Sequence, residues 1–196
     1  MIIKIHQVLV LLLTTLLIYG CDVPGEDVEV ITASGVIVGK DLGNFQQFYG
    51  IPFAKPPVGE LRWLPTQPVT PWQGKRLSYW PSPWCKQTVT SIDIIGTSED
   101  CLYLNIWKPN TEGPHPVMVW IHGGKFLFGS ANQEAYNGST LAQDQNVVVV
   151  SINYRLGFYG FLTLSGSDGS NAELVAGNQG FHDQIAALQW VKQNIA

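Results

Sequence analysis

Val117 to Ser130, VMVWIHGGKFLFGS, is the stretch that decides how the rest of the chain is read. Five apolar residues, Val117 to Ile121, run without a break into His122-Gly123-Gly124. That pattern predicts a strand covered on both faces and ending in a glycine-rich turn. Glycines at Gly123 and Gly124 permit backbone angles closed to other residues, so consecutive N–H groups can converge on a negatively charged oxygen. Donors arranged in this way form an oxyanion hole, among the largest single contributions to acyl-transfer catalysis. Taken alone, the same residues also describe an ordinary tight turn.

Two further stretches narrow the choice: Glu99 to Pro109, EDCLYLNIWKP, and Tyr49 to Leu61, YGIPFAKPPVGEL. With the first stretch they resemble, in order and spacing, the signatures of the type-B carboxylesterase and cholinesterase-like family. The resemblance runs from about Val28 to the last residue. It implies an α/β fold, the N-terminal part of an α/β-hydrolase. The expected sheet is doubly wound and mostly parallel, with an antiparallel hairpin at its N-terminal edge. It also implies hydrolysis of small carboxylic esters by a serine mechanism that needs no metal and no organic cofactor.

The family's Gly-x-Ser-x-Gly elbow occurs nowhere in the 196 residues. Because the triad of this fold follows the order Ser, Asp or Glu, His, none of its members is expected in the chain. The chain is therefore expected to stop before the nucleophile and to be inactive by itself. It would supply only the oxyanion loop, with backbone donors at Gly124 and Lys125 supported by His122 and Gly123. The family's commonest pattern has a third glycine where this chain has Lys125. A negative φ there would leave the donor intact, whereas a positive φ would strain a lysine by about 1–3 kcal/mol and weaken the assignment. His122 is expected to position the loop rather than act as base, and His115 and His182 carry no catalytic signal. Two other readings stay open: a cholinesterase-like binding or adhesion protein without catalysis, since fold does not fix function, and an inactive gene fragment.

The resemblance further implies a disulfide between Cys85 and Cys101, which at a loop of about 15 residues contributes about 3 kcal/mol. It implies ion pairs Arg62–Glu99 and Arg155–Asp183. In cholinesterases the loop matching Lys86 to Asp100 is longer and carries a tryptophan that stacks on a quaternary ammonium. This chain has no aromatic residue there and places Ser91 near the matching position, so choline esters are not expected as preferred substrates.

Composition agrees with a globular chain: 45% hydrophobic, 13% charged, with a net charge of −4. Mild acidity without basic clusters argues against nucleic acid. Residues 1–20 read as a secretory signal, from Lys4 through the eleven-residue run Val8 to Ile18, apolar but for two threonines, to Gly20. That run is too short to span a bilayer. The remainder, residues 21–196, reads as one portion of a single domain, secreted. Ile18-Tyr19-Gly20-Cys21 resembles a bacterial lipoprotein box only loosely, Tyr19 fitting it poorly, and secretion without a lipid anchor at Cys21 is the expectation. Asn137-Gly138-Ser139 is a glycosylation acceptor tripeptide in a eukaryotic host.

Along the chain, Val28 to Val38 predicts a hairpin and Pro52 to Pro83 a proline-rich loop pinned by Trp63, Trp72, Trp80 and Trp84. Leu102 to Trp107 and Val147 to Ile152 predict strands, and Ser139 to Gln145 a short helix. Gly157 to Gly177 reads as loop. From Asn178 a helix is expected to bury Ile185, Leu188, Trp190, Val191 and Ile195 on one side. Without the sequence that would follow in the family, that stripe and an unpaired edge at Val147 to Ile152 are expected to invite aggregation.

Overall fold

The computed structural model describes residues 23–87, 96–165 and 173–195. The signal region, Cys21 and Ser91 lie outside them. Strands β1 (Glu26–Thr32) and β2 (Gly35–Asp41) form the hairpin, with Thr32 opposite Gly35 and the turn at Ala33-Ser34. The Thr32 hydroxyl donates to the Gly35 carbonyl at 2.7 Å and closes the turn. Strand β3 (Phe45–Pro52) pairs with β2 and carries a register shift between Phe48 and Ile51. The shift is a bulge, and Gly50 at φ 62° supplies the backbone conformation it needs.

Three short strands follow: β4 (Lys75–Leu77), β5 (Trp84–Cys85) and β6 (Thr97–Ser98). The Cys85–Cys101 disulfide ties the last two to the core, with Cα atoms 5.0 Å apart. Strand β7 (Tyr103–Pro109) and strand β8 (Val117–Ile121) precede helix α1 (Ser139–Gln145) and strand β9 (Val148–Ile152). Helix α2 (Gly157–Phe161), strands β10 (Thr163–Ser165) and β11 (Glu173–Ala176), and helix α3 (Gln179–Asn194) complete the described chain.

The main sheet has the order β1-β2-β3-β7-β9-β8, with β4 alongside β2. The α/β class and the edge hairpin are as expected. Parallel pairing, expected to dominate, is confined in this sheet to β8 with β9 and β4 with β2; the pairs from β1 through β9 are antiparallel. The physical reason is that parallel neighbours need a long crossover: helix α1 lies in the one between β8 and β9, and β3 with the proline-rich segment separates β2 from β4, whereas the β1–β2 and β2–β3 connections are too short for one.

The same crossover reverses the expected positions of two strands. Strand β9 inserts between β7 and β8 and is buried at every residue, so Val147 to Ile152 does not face an open edge. Strand β8, expected to be covered on both faces, is instead the outer strand among the described residues. Its Val117, Met118, Trp120 and Ile121 are 38 to 42% exposed. An unbroken apolar run looks alike in both positions, because periodicity reports what a strand would bury and not what is present to cover it.

Other expectations change in detail. The Gly157 to Gly177 region holds helix α2 and the β10–β11 hairpin rather than loop alone. The proline-rich segment contains β4, and of its tryptophans Trp84 is buried, Trp63 donates to Phe158 O at 3.2 Å and Trp72 to Val36 O at 3.0 Å. Trp80 is 62% exposed, and its indole N–H makes no hydrogen bond among the described residues. On α3 the buried residues include Gly180, Asp183, Ala187, Trp190 and Val191, whereas Ile185 and Leu188 lie on the exposed side. The helix is apolar on two sides. A Cβ at Gly180 would meet the Arg155 carbonyl at 2.7 Å, so the glycine lets α3 approach there, and Asp183 bonds Arg155. These contacts select the buried face.

Candidate functional site

Strand β8 delivers the chain to His122, which is 2% exposed and stacks on Tyr154 with ring centroids 4.5 Å apart. Its Nδ1–H donates to the Gly123 carbonyl at 2.9 Å, and the Tyr154 hydroxyl donates to the His122 carbonyl at 2.9 Å. Burial pushes the imidazole pKa down, so the ring is neutral at neutral pH. Its Nε2 is buried without a partner among the described residues. A ring fixed in this way orients the turn that follows it.

The turn itself consists of three positive-φ residues in succession: Gly124 at 115°, Lys125 at 55° and Phe126 at 63°. A Cβ on Gly124 would overlap the Phe128 carbonyl, which makes glycine obligatory there. The Gly124 carbonyl accepts from the N–H groups of Leu127 (3.0 Å) and Phe128 (3.3 Å), and the Phe126 carbonyl accepts from Gly157 N–H at 2.7 Å. The Phe126 ring packs on Phe161 and Phe181 at 4.8 and 5.5 Å. Together these contacts hold the strained conformation in place. The hydrogen bonds formed by the described residues use neither the Gly124 nor the Lys125 N–H.

Lys125 therefore adopts the positive φ expected to strain it and to count against its amide as an oxyanion donor, although its N–H stays uncommitted among the described residues. Such strain is about 1–3 kcal/mol, partly offset in a glycine by its greater freedom when unfolded. Lys125→Gly is expected to raise the melting temperature by about 2–4 °C, the equivalent of about 1 kcal/mol at this size. A thermal melt checks it, and an unchanged or lower value would show that the lysine side chain repays its strain. The loop lies at the surface: Lys125 is exposed, as are Phe126, Leu127 and Phe128.

Past the turn, Gly129 exchanges two hydrogen bonds with the Gln87 side chain at 2.9 and 3.0 Å. Asn153 Oδ1 then accepts from the Ser130 hydroxyl (3.1 Å) and from Ala131 N–H (2.8 Å). Asn153, Tyr154 and Arg155 thus act in sequence at the end of β9: the first holds the loop's return, the second its histidine, the third the helix α3. The tripeptide directly follows the strand predicted over Val147 to Ile152. Its division of labour was not visible in the sequence, and nothing there singled out Gln87.

Arg155 and Asp183 form a bidentate pair, Nε to Oδ2 at 2.8 Å and Nη2 to Oδ1 at 2.9 Å, and the Arg155 N–H donates to Oδ2 at 3.0 Å. The side chains are 3% and 0% exposed. Nη1 donates to the Arg62 and Leu64 carbonyls, each at 3.0 Å, Nη2 also donates to Thr66 Oγ1 at 3.3 Å, and the Thr66 hydroxyl donates to Asp183 at 2.5 Å. Arg62 and Glu99 are also bidentate, at 2.5 and 2.8 Å, but partly exposed. Asn137 is exposed, with its Oδ1 accepting from Ser139 N–H.

A chain with this sheet order and this loop has well-marked relatives. The model of the carboxylesterase family matches residues 26–196. The chain belongs to the carboxylesterase family. A fumonisin B1 esterase of Sphingopyxis macrogoltabida is 45% identical over 84% of this chain and 31% of its own length. The acetylcholinesterase of Bungarus fasciatus is 42% identical over 86% of this chain and 30% of its own. Among solved structures, a Geobacillus stearothermophilus carboxylesterase superposes with a TM-score of 0.76 at 45% identity, covering 85% of this chain and 34% of that one. The chain thus spans about a third of the length of the carboxylesterases it matches.

Proposed function

We propose that the whole protein hydrolyses carboxylic esters and that residues 1–196 contribute its oxyanion loop. A serine hydroxyl, from sequence outside these residues, attacks the ester carbonyl carbon while a histidine takes its proton. The tetrahedral oxyanion is held by the Gly124 and Lys125 amides, the C–O bond breaks, and the alcohol leaves with that proton. Water then attacks the acyl-serine by the same route and releases the acid. The observation that carries this reading is the pair of uncommitted amides at Gly124 and Lys125, held directly after a strand end in a carboxylesterase chain. Substrates are small carboxylic esters without a quaternary ammonium, because residues 86–100 contain no aromatic side chain to stack on one. Secretion is part of the same proposal. The apolar N-terminal run supports it, as does the disulfide, a bond typical of oxidising compartments. Asn137, exposed as an acceptor must be, is assigned to glycosylation in a eukaryotic host.

Two preparations test the assignment of chemistry. The 196-residue chain is expected to release no nitrophenol from nitrophenyl butyrate above the buffer rate. The product of the complete coding region is expected to turn over and to be silenced by an organophosphate. An organophosphate adduct on a serine within residues 1–196 would overturn the proposal, as would a complete product that does not hydrolyse esters.

A further inference from the structure

A cavity of about 270 Å³ lies between the main sheet and the C-terminal part of helix α3. Its apolar wall includes Ile37, Phe48, Ile106 and Val148. Val117 and Val148, also in the lining, are the first residues of β8 and β9, whereas His122 follows the last residue of β8. A five-residue strand separates the two ends by roughly 13–17 Å. The cavity is thus remote from the oxyanion loop, and what it binds does not depend on ester hydrolysis.

Two features distinguish it from a packing defect. Trp190, 5% exposed and in the lining, has an indole N–H that finds no acceptor among the described residues. Burying a donor without an acceptor costs about 1–3 kcal/mol, so a molecule bringing an oxygen would recover that free energy. The polar lining also includes Gln46 and Lys108, and among the described residues no Asp or Glu. An apolar wall with donors and a cation selects a ligand with an alkyl body and acceptor oxygens. The volume falls just below the 300 Å³ or more of pockets for drug-sized ligands, which limits the body to a short or medium chain.

We infer that this cavity binds a medium-chain carboxylate, its alkyl chain against the sheet and its oxygens toward the donors of Trp190 and Lys108. Octanoate is the probe, titrated by calorimetry into the folded protein, with octanol as the ligand that lacks the carboxylate. Octanoate is expected to bind saturably with a Kd of about 1 mM or tighter, as suits about ten heavy atoms. Trp190→Phe keeps the ring and removes the donor, and Lys108→Gln removes the charge at a residue outside the buried core. Each is expected to weaken octanoate about fivefold or more, and only Trp190→Phe should also weaken octanol, whose hydroxyl uses the same donor. Absence of saturable binding, or wild-type affinity in both variants, would overturn the inference. So would binding by the 196-residue chain that is lost in the complete product, which would assign the cavity to packing by further chain.

Discussion

Asp183→Ala is expected to lower stability by about 3–5 kcal/mol, a fall in melting temperature of roughly 6–20 °C for a chain of this size. The carboxylate is fully buried and accepts from Arg155 at three points and from Thr66. Removing it leaves the guanidinium buried with only the Arg62 and Leu64 carbonyls and the Thr66 hydroxyl, so a charge stays out of water without its counter-ion. Glu99→Ala is the internal control. Its pair with Arg62 is geometrically as good but partly solvated, and a clearly smaller loss than for Asp183→Ala is expected. A second check separates charge from packing: Arg155→Met combined with Asp183→Ala should be less destabilised than Asp183→Ala alone. Equal losses for Asp183→Ala and Glu99→Ala in denaturant melts would show that burial does not govern these pairs.

Gly124→Ala is expected to lower kcat/KM for ester hydrolysis by the complete protein by about 10²–10³, the loss that follows from misplacing an oxyanion donor. The added methyl would overlap the Phe128 carbonyl, and φ 115° is closed to alanine, so the turn must move and carry the Lys125 amide with it. The effect should fall mainly on kcat, because in the proposed role these amides would act on the charge that develops in the transition state. Circular dichroism should stay close to wild type, since the turn is at the surface. Activity within about threefold of wild type would remove Gly124 and Lys125 from the oxyanion assignment.

The contrast between these two substitutions follows from where the two residues sit. Asp183 belongs to a buried polar network in which every partner is satisfied, and such a network fails as a unit. Gly124 belongs to a strained surface turn whose donors are left open. Strain of this kind persists only where surrounding contacts over-determine it, here the bonds from Leu127, Phe128 and Gly157 and the packing of the Phe126 ring.

Much of this was legible in the chain itself. The hairpin within Val28 to Val38, helix Ser139–Gln145, strand β9 and the extent of α3 follow from local pattern, because turn residues and hydrophobic period act over a few residues. The glycine demand at Gly124 was also visible, since a strand running into Gly-Gly must turn sharply. Three matters belonged to the tertiary structure alone. Which of two similar apolar strands lies inside was settled by the crossover that places β9 between β7 and β8. Which side of α3 is buried was settled by Gly180 against Arg155 and by the Arg155–Asp183 pair, over a helix apolar on both sides. The sign of φ at Lys125 was settled by bonds from Leu127, Phe128 and Gly157, and side-chain identity alone would have argued for the opposite sign. Local sequence sets which conformations are cheap, and contacts between distant residues decide which costly one is kept.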